Sequence, residues 1–174
     1  IHSDRAYIQA YANLKAAEYK LEEDKNTDKA KAILASAKEY YGLQKLEEND
    51  GKYPKDYIRK RYLELLMDAG ELEDALLFSK YFDNKESSFF LQDMAKLCHK
   101  LEKYDKALDY IDKAIAGIAD KGYKSSFMWN KANILHDMGD SSCITLLQEA
   151  IDMREADKAK SEWEKTIEVW ASEF

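Results

Sequence analysis

Three histidines and two cysteines are the residues best able to hold a metal or act as nucleophiles in this chain of 174 residues. His99 and His136 stand 37 residues apart, and His2 lies at the start. Two imidazoles on neighbouring elements could share a metal or a pH-sensitive contact. A zinc site needs three or four ligands, however, and no His-Glu-x-x-His or Cys-x-x-Cys pattern supplies the others, so no metal or other cofactor is expected. Cys98 and Cys143 both fall on apolar faces, where a free thiol behaves as a small buried hydrophobe. Carboxylates such as those of Glu22, Glu23, Glu47 and Glu48 sit in polar runs without the desolvation that acid/base catalysis needs. A glycine-framed serine and a glycine-rich phosphate loop are both missing from the sequence. These residues point to binding rather than to a reaction, and the chain is not expected to be an enzyme.

Composition bounds the partners. Hydrophobic residues make up 45% and charged residues 35%, with 6 Gly and 1 Pro, which predicts an ordered, all-α chain. A net charge of −7, spread as 15 basic against 18 acidic residues over 1–87 and 12 against 16 over 88–174, disfavours direct contact with a nucleic-acid backbone. No apolar run reaches the roughly 20 residues that a membrane-spanning helix requires. A reducing, cytoplasmic location fits the cysteine usage. Because the chain starts at Ile1 rather than Met, it is expected to be processed or cut from a longer one, and a targeting segment could have been removed.

The elements that must position these side chains are clearest in residues 88–119. Leu91, Met94, Ala95, Cys98 and Leu101 recur at helical spacing, and after a short break Tyr104, Ala107, Leu108, Ile111, Ala114, Ile115 and Ile118 do so again. Two short helices with one apolar face each are stable only against neighbours. The same pattern predicts pairs at approximately 4–49, 54–83, 87–121 and 124–153, with a last helix over 154–174 carrying Trp163, Ile167, Trp170 and Phe174. An acidic loop follows the first pair at 47–51, and Pro54 suits a helix start. Within the pairs, one helix is expected to run from Leu72 to Phe82, Lys121-Gly122 is read as a break, and the next helix is expected from Ser125.

Superposing the pairs aligns small residues. Ala30, Ala75, Ala107 and Cys143 lie early in each second helix, and Ala37, Phe82, Ala114 and Ala150 later. The turns read Ala-Gly-Glu-Leu, Leu-Glu-Lys-Tyr and Met-Gly-Asp-Ser. Close approach of two helix backbones demands such small side chains. This pattern resembles the tetratricopeptide repeat, a helix–turn–helix unit of about 34 residues. The repeat-ending proline is absent, Lys131 replaces an apolar first-helix residue, Phe82 replaces a small one, and the first unit is too long. The resemblance implies a single domain over 1–174, a right-handed superhelical solenoid of about four antiparallel helix pairs with a C-terminal capping helix.

In that family the first helix of each pair lines a concave groove. The resemblance therefore implies groove positions at Lys15, Tyr19 and Glu22, then Tyr57, Lys60 and Glu64. The third pair supplies Phe89, Gln92, Lys96 and His99, and the fourth Trp129, Asn133 and His136. Aromatics, amides and lysines suit an extended peptide or helix, and the lysines favour one with acidic groups. The carboxylate clamp of chaperone-binding members lacks its Lys and Arg here, the candidate positions being Phe89 and Asp93 or Ser126 and Asn130. The implied function is a non-catalytic scaffold for protein–protein interaction, with a protein or peptide partner and room for a homodimer through the end repeats. The alternative is the peptide-sensing part of a larger signalling or transcriptional regulator.

Overall fold

Apolar residues at three- and four-residue spacing give helix over most of the described backbone. The computed structural model describes residues 12, 15–17, 28, 31, 32 and 56–174, and none of these lies in a strand. Most of the first predicted pair, with Tyr19, Glu22, the acidic loop at 47–51 and Pro54, lies outside the described residues. No helix among the described residues is long and apolar enough to cross a membrane. The chain divides into two units, Ile1–Lys85 and Glu86–Phe174.

In the first unit, helix α1 (Asp56–Asp68) turns back into α2 (Leu72–Phe78), which continues as a single 3-10 turn, Ser79–Tyr81. The helix expected to reach Phe82 thus stops at Phe78, and Phe82 is extended. The reason is aromatic packing. Phe78 meets Tyr62 edge-on at 4.6 Å, Tyr81 at 5.7 Å and Phe82 at 6.2 Å, and the tighter turn brings the last two rings onto it. Arg59, in the middle of α1, is fully buried, and its Nη1 donates to Asp56 Oδ1 and Asp83 Oδ2, both at 2.9 Å. Asp56 in turn accepts the backbone N–H groups of Asp83 and Asn84 at 3.0 and 2.9 Å. Burying a guanidinium is costly unless it is paired in this way. Ala17 is also buried, and Lys31 pairs with Glu71 at 3.2 Å.

The second unit contains α3 (Ser88–Lys100), α4 (Tyr104–Gly117), α5 (Lys121–Asp137), α6 (Ser142–Met153) and α7 (Lys158–Glu173). Helices adjacent in sequence within this unit pack on each other, and α3 also reaches α5. Helix α5 starts at Lys121, four residues before the expected Ser125. Asp120 makes this possible, because its carboxylate accepts the Tyr123 N–H at 3.0 Å and caps the first turn, where Gly122 is tolerated. Asp157 caps α7 likewise through the Lys160 N–H at 2.7 Å.

Three helices end the same way. After α1, α3 and α5 the chain enters the left-handed region at Gly70, Glu102 and Gly139, with φ of 78°, 56° and 75°. At each, two backbone bonds close the turn. Gly139 N donates to His136 O and Asp140 N to Leu135 O, as Glu102 N does to His99 O and Lys103 N to Cys98 O. This pairing satisfies carbonyls that the helix end would otherwise leave unbonded.

The core of this unit lies in two adjoining clusters, and α5 serves both. Phe127 and Ile134 join Leu91, Ala95, Cys98, Ala107, Ile111 and Ala114. On its other side, Met128, Ala132 and Leu135 join Cys143, Leu147, Ala150, Ile151, Trp163 and Trp170. The aligned small residues Ala75, Ala107, Ala114, Cys143 and Ala150 have no exposed surface, as close helix packing requires. Both thiols are free and buried.

Candidate functional site

Helices α3 and α5 run side by side in the same direction, because contacts join them at both ends. Near their starts, Phe89 meets Tyr123 edge-on at 5.0 Å and Phe127 at 6.0 Å. Near their ends, His99 Nε2 hydrogen-bonds Asp137 Oδ2 at 2.6 Å. Between these contacts each helix presents a stripe at three- and four-residue spacing: Phe89, Gln92, Lys96 and His99 on α3, and Tyr123, Ser126, Asn130, Asn133 and Asp137 on α5.

A cavity of about 460 Å³ opens where the stripes end, lined by Lys96, His99, Lys100, Asn130, Asn133 and Asp137 among others. That volume is in the range of ligand sites, about 300–1,000 Å³. Its charged side chains are balanced, Lys96 and Lys100 against Glu102 and Asp137, and Tyr104 and Ile134 add apolar surface. No carboxylate among the described residues pairs with Lys96 or Lys100, whereas Lys131 is taken by Asp112 at 2.7 Å and Lys113 by Asp109 at 2.9 Å. Asn133 spends an Nδ2 proton on the Trp129 carbonyl at 2.8 Å, which leaves its side-chain oxygen as an acceptor. Glu102 and Tyr104 complete the rim from the turn between α3 and α4.

The expected groove residues separate into three groups. Lys96, His99 and Asn133 come together at the cavity, with Phe89 and Gln92 further along the same stripe. Trp129 and His136 face α7 instead. The Trp129 ring stacks between Trp163 at 5.2 Å and Trp170 at 5.9 Å, nearly parallel to both. His136 stacks on Trp170 at 4.4 Å and hydrogen-bonds Glu173 Oε2 at 2.5 Å. Arg154 closes the far end of the stack, lying 4.8 Å from the Trp163 ring while its guanidinium holds Asp157 and the Ser126 hydroxyl. In the first unit, Lys15 is exposed on a helix, Tyr57 is 63% exposed, and Lys60 is joined to Glu64 at 2.8 Å.

The two histidines do not converge on one point in space. Asp137 lies between them, 2.6 Å from His99 Nε2 and 3.5 Å from His136 Nδ1, and the His136 Nε2 is given to Glu173. Among the described residues no three His, Cys, Asp or Glu side chains gather as metal ligands would. Burial pushes the pKa of both thiols up, against a smaller downward pull on Cys98 from Lys103 and Lys106. Since the thiolate is the reactive form, neither is activated.

Lys100, Asn130 and Asp137 belong to the cavity but were not assigned to the groove from sequence. The signal was present, since Lys100 lies four residues after Lys96, and Asp137 four after Asn133. No family model, no curated protein and no solved structure matches the chain.

Proposed function

We propose that the chain is a non-catalytic peptide-binding module, built as a tetratricopeptide-like solenoid, whose second unit takes an acidic peptide along α3 and α5. The observation that carries this reading is the pair of unpaired lysines, Lys96 and Lys100. They share a cavity with two asparagines and with the carboxylates of Glu102 and Asp137, in a chain whose net charge is −7. A carboxylate entering there gains two charge-assisted hydrogen bonds without breaking an existing ion pair. The Asn130 and Asn133 amides offer hydrogen bonds to the peptide backbone or to the same carboxylate. His99 adds a further ring nitrogen edge, held in place by Asp137.

The test is a heteronuclear NMR titration of the whole chain with acidic peptides and with charge-neutral peptides of matched length. Shifts at Lys96, His99, Lys100 and Asn133 with the acidic set alone are expected, weakened by Lys96→Ala and Lys100→Ala and by added salt. Equal shifts with neutral peptides, or shifts confined to α7, would overturn the reading.

A further inference from the structure

The geometry points to a two-feature ligand code at this face: a carboxylate at the Lys96 and Lys100 end, and an aromatic or large aliphatic side chain at the Phe89–Tyr123 end. The inference rests on the peptide reading above and specifies its ligand. Phe89 and Tyr123 are 37% and 53% exposed, although Phe89 contacts the buried ring of Phe127. A single exposed aromatic needs no explanation. These two, however, touch each other and head the two stripes that lead to the lysine cavity.

The two lysines, without a carboxylate partner among the described residues, select the occupant's acidic end, and helix geometry sets the distance to its apolar end. Seven residues separate Phe89 from Lys96 and eleven separate it from Lys100. At a rise of 1.5 Å per residue this is roughly 10–17 Å along α3. An extended peptide advances about 3.3–3.6 Å per residue, so the two ligand features should stand about three to five residues apart. Between them the Asn130 side-chain amide makes no hydrogen bond to another described residue, which leaves it available to an extended ligand backbone. A helical ligand would need about seven to eleven residues to span the same length, so the spacing also tells strand from helix.

The experiment is calorimetric titration of the full chain with a peptide series. One peptide carries an acidic pair in a Ser/Gly background. The others add one Phe at two, four or nine residues from that pair, on either side. The code predicts that Phe at four residues tightens binding about tenfold or more over the acidic peptide, and that Phe at two or nine does not. The gain should vanish in Phe89→Ala/Tyr123→Ala, while the acid-only peptide still binds that variant. If Phe adds nothing at any position, or adds equally at all of them, the code is wrong and the acidic-peptide reading survives. A gain at nine residues alone makes the ligand helical and overturns the extended form. If no acidic peptide binds the unaltered chain, both proposals fall. The spacing series uses the unaltered chain, so a poorly folded variant cannot decide the outcome.

Discussion

Glu102 should be more stable as glycine, and the gain can be worked from the three equivalent turns. At φ 56° it sits where Gly70 and Gly139 sit at 78° and 75°, in the same hydrogen-bonded turn. The left-handed region costs a residue with a Cβ about 1–2 kcal/mol. Glycine avoids that cost but loses about 0.5–1 kcal/mol through the greater freedom of its unfolded chain. Glu102→Gly should therefore stabilise the second unit by about 0.5–1 kcal/mol. For a unit of this size that corresponds to a rise of roughly 2–8 °C in melting temperature. Glu102→Ala removes the charge while keeping the Cβ, so it controls for electrostatics and should show no such gain. The reciprocal change, Gly139→Ala, should cost about 1 kcal/mol. An added Cβ there meets nothing within 4 Å, so the loss would be purely conformational. Urea unfolding followed by tryptophan fluorescence measures all three variants. If Glu102→Gly is no more stable than Glu102→Ala, or Gly139→Ala is neutral, backbone strain does not distinguish these turns and the reasoning fails.

Other outcomes follow from buried groups. Burial pushes the Asp56 carboxyl up, but the Asp83 and Asn84 N–H groups and Arg59 outweigh it and hold it below the ordinary carboxylate value. A depressed folded pKa stabilises above the unfolded value and is lost as pH falls through the folded one. Protection of the Asp83 and Asn84 amides relative to their intrinsic exchange rates should therefore hold down to about pH 4 and fall below it. Asp56→Asn should lower that protection at neutral pH and remove its dependence on pH. Cys98 and Cys143 should resist a thiol reagent in the native state and react in step with urea unfolding, and stoichiometric labelling without denaturant would contradict their burial. Trp129→Ala should destabilise the second unit by about 3 kcal/mol and abolish any exciton couplet in its circular dichroism. A small loss with the couplet intact would mean that the ring does not lie between the other two.

The helices of residues 88–118 could be read from sequence because each has a single apolar stripe. Ala107, Ala114, Cys143 and Ala150 could be placed at helix crossings because only small residues fit there. Helix α5 was harder. Its buried residues, from Phe127 and Ile134 to Met128 and Leu135, feed clusters on both sides, so its sequence favours no one face. For that reason Trp129 and His136 read as groove residues, while the structure stacks them against α7. Arg59 carried no signal at all, because a charged residue inside a helix normally faces water. Its burial depends on Asp83, 24 residues away. Glu102 was equally silent, since glutamate has no preference for the left-handed region and only the hydrogen bonds of the turn hold it there.

The order in which the second unit can be made follows from its indoles. Helices adjacent in sequence pack on each other, so most contacts are short-range in sequence and folding should be fast. The stack of Trp129 between Trp163 and Trp170 is among the longer-range contacts, joining residues 34 and 41 apart. On a ribosome, α3 to α6 can assemble as they emerge, yet the apolar face of α5 and α6 stays open until α7 has been made. Helix α7 thus shields the core that the helices before it build, and quenching among the rings marks the moment at which that core closes.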